Sequence, residues 1–386
     1  MRILMVLERD FPPDLRVENE INSLHEKGHQ VFLACYTRKK EYIQEEWNKC
    51  KVFKKPISPI IYKSSVGALK FPFYFKFWKS YVFDICNKVK PDVIHIHDLP
   101  LASVGLKVKQ KFGIKFVLDL HENWPAYLRV SKHANTFLGK LLSSNTQWEN
   151  YEKKHCLIAD KVIVVIDEAK ARLRKMGIKP GKIEIVANYP ELSDFDGLPE
   201  YQKKSDKLIL FYAGGIGEHR GLQYIIQSLP SLMEKYPTIE LRILGSGNYA
   251  DYLKTLSDEL NVSDHVIFYG QVPYRVVLEE LVKAHVTLIP HVKNDHTDST
   301  IPHKLFQYIY AGKPVLASNC IPIQRILLVT NAGKVYKWND SEDAAEKLDW
   351  IINNLEFYKP KQLKNVIEKR YNWMIEKAKL QKIYTT

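Results

Sequence analysis

The chain has few cysteines, no long apolar run and no low-complexity tract, and each absence removes a class of protein. Its five cysteines (Cys35, Cys50, Cys86, Cys156 and Cys320) are scattered, and no two form a C-x-x-C pair. That excludes a disulfide framework or a zinc ribbon and suits a reducing compartment. No stretch of about 20 apolar residues occurs, so no helical span is expected. The opening MRILMVLERDFPP reaches Glu8 too early for a secretory leader. The expected location is the cytoplasm, with attachment to the inner face of the membrane as the alternative.

What remains is ordinary globular composition. The 386 residues are 45% apolar and 26% charged, a length that favours two domains. The charge is one-sided. Residues 1–190 hold 33 of the 57 Lys and Arg but only 20 of the 44 Asp and Glu, so the whole net charge of +13 lies there. Solubility is one explanation, and an anionic surface or ligand is the other. Nucleic acid is not an expected partner.

Short Val/Ile/Leu runs alternate with helical periodicities throughout. In the first half the runs fall at 2–8, 29–36, 92–98, 115–122, 161–166 and 182–189. In the second half they fall at 207–214, 239–247, 265–270, 285–290 and 313–318. Near-continuous apolar strands separated by helices imply parallel sheets covered on both faces. The fold class is therefore α/β, with two doubly wound, Rossmann-like domains facing a central cleft. The expected domains are 1–190 and 207–370, joined by a Pro-, Asp-, Ser- and Lys-rich linker at 191–206. A terminal helix at 371–386 is expected to cross back to the first domain. Ligands in such sheets bind beyond the carboxyl ends of the strands.

Two helix starts in the second domain read as anion sites. In STIPHKLFQYIYAGKPV (299–315), Pro302 suits the first turn and Ser299 or Thr300 can cap it. Gly312 and Pro314 end the helix, which is expected over about 302–311. His303 and Lys304 put cations at its amide end, where an anion belongs. An ordinary capped helix fits the same residues. The second start is YAGGIGEHRG (212–221), where Gly214, Gly215 and Gly217 allow close backbone approach and Arg220 opens the next helix. Two such starts in one domain favour a pyrophosphate. The run Gly215-x-Gly217-x-x-x-Gly221 is not a dinucleotide fingerprint. Its third glycine comes one position late, and no acidic residue follows at the next strand end.

Across both domains the chain resembles the family-4 retaining glycosyltransferases of the GT-B fold. The resemblance rests on EKGHQV (26–31), HIHD (95–98), DLHENWP (119–125), ADKVIVVIDEAKARL (159–173), YAGGIGEHRG, LGSG (244–247) and PHKLFQYIYAGKPV, in that order. It implies a nucleotide-sugar donor in the second domain and a glycan or lipid-linked acceptor in the first. It also implies retention at the anomeric carbon and no metal or other cofactor. Arg220 falls where the family has its diphosphate-binding lysine, with Lys304 as a second cation, and Gly215 stands where another basic residue is common. The family's paired glutamates map onto Ser299 and Gln307. The implied donor-binding set is thus Gly215, Gly217, Arg220, Ser299, Pro302, His303, Lys304 and Gln307. His121 occupies the position of a histidine that faces the donor sugar, so His121, Arg220 and Lys304 form the implied catalytic set.

On the acceptor side, Glu122, His97 and Arg16 are candidates, Arg16 equally as part of a solvated helix face. HIHD and DLHE lack a metal-ligand spacing, so no metal is expected. The segment 69–83 carries an aromatic and a basic side, suiting either a core helix or an anionic membrane surface. The expected function is glycosyl transfer in cell-surface polysaccharide synthesis. The rivals are a nucleotide-sugar epimerase of the same architecture and a binding protein that has lost catalysis.

Overall fold

The alternation of apolar runs and helices builds two separate sheets. A computed structural model describes residues 1–130, 144–195 and 206–385. The first sheet holds β1 (Arg2–Leu7), β2 (Gln30–Thr37), β3 (Ile43–Trp47), β4 (Cys50–Pro56), β5 (Val93–His97), β6 (Lys115–Leu120), β7 (Lys161–Val164) and β8 (Ile183–Ile185). Their spatial order is β3-β4-β2-β1-β5-β6-β7-β8, and every pair is parallel except β3 with β4. The second sheet holds β9 (Leu208–Ala213), β10 (Ile239–Leu244), β11 (Val266–Gly270), β12 (Val286–Ile289), β13 (Val315–Ser318) and β14 (Gly333–Tyr336). It runs β11-β10-β9-β12-β13-β14, all parallel. Strand order reverses at β1 in one sheet and at β9 in the other. The carboxyl ends of β1 and β5, and of β9 and β12, are therefore the switch points where doubly wound sheets bind ligands.

The chain divides into two compact units, Met1–Asn188 with Met374–Thr386, and Tyr189–Trp373. Of the expected linker at 191–206, residues 196–205 lie outside the described residues. The terminal helix is Trp373–Ile383, preceded by a distinct helix Pro360–Arg370. It crosses back to the first unit as expected. Glu376 Oε2 accepts from the Ala187 backbone N–H at 2.8 Å, and Gln381 Nε2 donates to Ser23 O at 2.7 Å.

Three strands escaped the sequence reading. β3 and β4 form a hairpin whose turn is Asn48–Lys49, with φ of 43° and 66°. The usual glycine is absent from that turn, β3 (IQEEW) is an exposed edge strand, and lysines interrupt β4. β14 is only four residues long.

Two helices decide what reaches the first switch point. Helix Leu15–Glu26 is capped by Asp14, which accepts from Val17 N at 3.3 Å. Its inward face carries Val17, Ile21 and Leu24 but also Arg16 and Glu20, one turn apart. Helix Phe73–Val89 buries Tyr74, Trp78, Tyr81, Val82, Ile85, Cys86 and Val89. Its aromatic side is thus core rather than a membrane face. No described helix is long and apolar enough to cross a membrane.

Glu376 is 1% exposed, so its carboxylate is an obligatory partner for the Ala187 amide. Glu376→Ala leaves that buried N–H unsatisfied and is expected to cost about 1–3 kcal/mol, read from the urea midpoint. A loss within about 0.5 kcal/mol, typical of surface changes, contradicts the role given to this contact.

Candidate functional site

In the second unit, the turn after β9 is shaped by glycines that no other residue can replace. A Cβ on Gly245 would fall 2.0 Å from Gly214 O, and one on Gly247 would fall 1.9 Å from Ile216 O. The LGSG segment therefore runs directly against the turn, with Gly214 N donating to Leu244 O and Ile216 N to Ser246 O. Gly221, at φ 72°, lies so close to Pro290 that a Cβ would sit 1.7 Å from its carbonyl oxygen. Gly215 faces open space, whereas the His219 ring covers Gly217.

Arg220 and Lys304 meet at this turn from different elements. Arg220 ends the 3-10 turn Glu218–Arg220, and Lys304 lies in the first turn of helix His303–Tyr310. Lys304 Nζ donates to Ala213 O at 3.0 Å and sits 3.9 Å above the Tyr212 ring. Tyr212 in turn donates to Gly215 O at 2.8 Å, and the Tyr308 hydroxyl accepts from Ala213 N at 3.0 Å. These contacts fasten the helix start to the end of β9. Arg220 Nη1 lies 3.1 Å from His291 Nε2, just beyond β12. Burial, Lys304 and Arg220 hold His291 far below its usual pKa, so it is neutral and accepts from the guanidinium. Burial and the Arg220 charge likewise depress Lys304 well below the usual lysine range. Among the described residues no carboxylate pairs with either cation. A neutral partner orients Arg220 while leaving its charge available to a ligand.

The remaining expected donor residues divide. Pro302 is the N-cap of the helix rather than its first residue, and no side chain caps it. Ser299 Oγ donates to Asp295 O at 2.6 Å and Thr300 Oγ1 to His296 O at 3.2 Å, so neither hydroxyl serves as the expected cap. His303 opens the helix, half-buried. Gln307 Nε2 donates to the Tyr274 hydroxyl at 3.1 Å on a solvent-facing side. Asp298 pairs with Lys293 at 2.8 Å and accepts from Ile321 N at 2.8 Å, which fixes it as a structural carboxylate.

In the first unit, the residues from HIHD and DLHE converge on Asp119. Asp119 Oδ1 takes Arg16 Nη2 at 2.7 Å, while Asp119 Oδ2 faces His121 Nε2 at 3.2 Å and both His95 Nε2 and His97 Nδ1 at 3.5 Å. Arg16 Nε also pairs with Glu20 at 3.0 Å. Arg16 is 3% exposed and His97 fully buried. Both were expected to face an acceptor, and both are instead interior supports, because helix Leu15–Glu26 turns Arg16 inward and β5 is covered on both faces. One ligand atom from each of Glu20, His95, His97 and Asp119 lies within 4.8 Å of the others, a convergence that spacing alone did not reveal. Arg16 already offsets its charge.

His121 is the half-exposed outlet of this cluster. Burial opposes its charged form, but Asp98 and Asp119 outweigh that and raise its pKa to about 9. Glu122 beside it is raised by burial and by Asp98.

Comparison with known proteins decides the identity. The model for Glycosyl transferases group 1 matches residues 197–373, and that for Glycosyltransferase Family 4 matches residues 16–189. This chain belongs to the group 1/family 4 glycosyltransferases of the GT-B fold. A phosphatidyl-myo-inositol mannosyltransferase of Mycolicibacterium smegmatis is 23% identical, covering 100% of this glycosyltransferase and 94% of the relative. The putative colanic acid biosynthesis glycosyltransferase WcaL of Escherichia coli is 26% identical over 56% of this chain and 54% of its own. An E. coli trehalose-6-phosphate structure bound with UDP-2-fluoro glucose shares the fold, with TM-score 0.73, 11% identity and coverage of 100% and 98%.

The sequence reading of this glycosyltransferase missed His291 and Glu8. His291 directly follows the apolar run at 285–290, a position that could have flagged it. Glu8 follows β1 at the switch point, where Tyr74 donates to it at 2.5 Å; burial raises it to about 7 despite that bond, and Asp98 adds to the rise. Asp98 adopts φ 66° and ψ 154°, a backbone region normally reserved for glycine.

The raised pKa of His121 has a signed consequence. A histidine whose folded pKa exceeds its unfolded value stabilises fully below 6.5 and loses that contribution as pH rises through about 9. Wild type is expected to lose up to about 3 kcal/mol more than His121→Asn across that window, measured by urea unfolding at each pH. Parallel pH profiles for the two proteins contradict the assignment.

Proposed function

We propose that this glycosyltransferase moves a hexosyl group from a nucleoside-diphosphate sugar to a glycan or lipid-linked acceptor, with retention at the anomeric carbon and without a metal ion. The process it serves is cell-surface polysaccharide synthesis. The observation that carries the reading is the meeting of Arg220 and Lys304 beside a glycine turn, with a neutral histidine rather than a carboxylate orienting the guanidinium. A leaving diphosphate supplies the charge that this site lacks. The neighbour bound with UDP-2-fluoro glucose supports the donor. The mannosyltransferase and colanic acid relatives support the acceptor class.

The two cations and the amides at the start of helix His303–Tyr310 hold the diphosphate and stabilise its charge as it departs. Gln307 serves the ribose and Ser299 the sugar by neutral hydrogen bonds. Neither can act as a nucleophile, and Asp298 is held by Lys293 and the Ile321 amide. Front-face attack follows. The bond from the anomeric carbon to the diphosphate oxygen breaks, the acceptor oxygen bonds on the same face, and the acceptor proton passes to the leaving diphosphate. In the first unit, protonated His121 donates to a sugar hydroxyl, and Glu122 meets the acceptor. Asp119, with Arg16 and His97 behind it, keeps His121 charged and in place.

Thermal-shift screening of UDP-, GDP- and dTDP-sugars identifies the donor, since a ligand at about 100 times its Kd adds roughly 2.7 kcal/mol. With that donor, Arg220→Gln and Lys304→Met are each expected to lower kcat/KM by about 10²–10³ while circular dichroism stays unchanged. A loss under about threefold in both variants, less than a typical charged hydrogen bond provides, overturns the diphosphate assignment.

A further inference from the structure

Three ring nitrogens face one carboxylate oxygen in the first unit. Asp119 Oδ2 lies 3.2 Å from His121 Nε2, 3.5 Å from His97 Nδ1 and 3.5 Å from His95 Nε2. His97 Nδ1 and His121 Nε2 are themselves 3.2 Å apart. Asp119, His95 and His97 are fully buried, and His121 is partly exposed. Hydrogen bonding accounts for only part of this arrangement. Bonds from nitrogen to oxygen run to about 3.2 Å, so two of the three nitrogens aim at the oxygen from beyond that range. His95 Nε2 makes no hydrogen bond among the described residues.

The separations are those of metal ligands. Bonds of about 2.0–2.1 Å at tetrahedral angles set ligand atoms about 3.3–3.4 Å apart, and neighbouring octahedral ligands about 2.9 Å apart. The four separations of 3.2–3.5 Å match the tetrahedral value. Imidazole and carboxylate are donors that zinc takes. The surroundings match as well, because metal-bound side chains are oriented by partners on their far atoms. Arg16 Nη2 holds Asp119 Oδ1 at 2.7 Å, the Tyr384 hydroxyl meets His95 Nδ1, and Asp98 Oδ2 faces His121 Nδ1 at 3.9 Å. Arg16 puts a positive charge beside the cluster, but Glu20 also pairs with it at 3.0 Å, so two carboxylates stand against one guanidinium. All five cysteines are buried, so no surface thiolate competes for such an ion. Sequence spacing pointed to no metal, because the ligands converge only when β5 and β6 pair side by side.

We propose that His95, His97, Asp119 and His121 bind a divalent metal ion of the zinc type in tetrahedral geometry. With the ion on Nε2, His121 keeps its Nδ1 hydrogen as a donor to a hydroxyl, which is the role given to it above. The site belongs to the first unit and takes no part in holding the diphosphate, which the second unit does without a metal. The proposal needs neither donor nor acceptor.

To test it, the full chain without an affinity tag is stripped with a chelator, given zinc chloride and passed through gel filtration before elemental analysis. Wild type is expected to retain one zinc per chain. His97→Asn and His121→Asn are each expected to weaken binding by at least about 100-fold, the upper end of what losing a partner behind a ligand costs. Cobalt in place of zinc is expected to give the intense visible bands of a tetrahedral site. Circular dichroism checks that the variants fold, and if one misfolds, zinc retention and the cobalt spectrum of wild type decide. No zinc retained by wild type, well-folded variants that retain it like wild type, or the weak cobalt bands of an octahedral site overturn the proposal. Arg220→Gln/Lys304→Met is expected to retain zinc, which separates this site from the donor site. Loss of zinc in that variant while it stays folded overturns the assignment.

Discussion

Two basic side chains brought together, with no carboxylate among the described residues pairing either, dominate the site of the second unit. Arg220 and Lys304 come from elements separated in sequence, and each raises the electrostatic cost of the other. The fold tolerates this because the Tyr212 ring, the Ala213 carbonyl and neutral His291 provide oriented partners without opposite charge. Much of the surrounding sequence follows from that arrangement. Gly245 and Gly247 are needed for the backbone to approach so closely, Gly214 for its positive φ of 143°, and Gly221 for Arg220 to leave the turn against Pro290. The site is built with a charge deficit that an anionic ligand can fill.

The first unit handles buried charge in the opposite way. Arg16, Glu20 and Asp119 are interior and mutually paired, with His95 and His97 packed beside them. Taking such charges from water is costly, and a cluster of this kind contributes little net stability. Its product is the placement of His121, which Asp119 and Asp98 keep protonated at the edge of the sheet. The terminal helix belongs to this cluster as well, since the Tyr384 hydroxyl contacts His95 Nδ1.

The sheets were legible because buried parallel strands read as uninterrupted Val/Ile/Leu runs. β3 and β4 were not, because an exposed edge strand and a strand broken by lysines have no such run, and their Asn48–Lys49 turn lacks glycine. Lys304 was legible as a cation at a helix start, where local electrostatics already disfavours it; Arg220, expected in the first turn of the next helix, instead ends a 3-10 turn ahead of that helix, whose N-cap is Gly221. Arg16 was misread, because the inward face of a helix cannot be assigned from periodicity when a charged residue occupies it. His97 was misread because an alternating His-x-His looks like a strand end facing solvent, whereas β5 is covered on both faces. His291 and Asp119 derive their roles from contacts across 71 and 103 positions of sequence, which no local pattern carries.

The central claim concerns the cation pair, and inorganic pyrophosphate tests it without knowledge of base or sugar. Isothermal titration reads the affinity directly. The account predicts that wild type binds pyrophosphate and that Arg220→Gln/Lys304→Met does not, because each replaced side chain removes a charge-assisted contact to the anion. Equal affinity in the two proteins would contradict it.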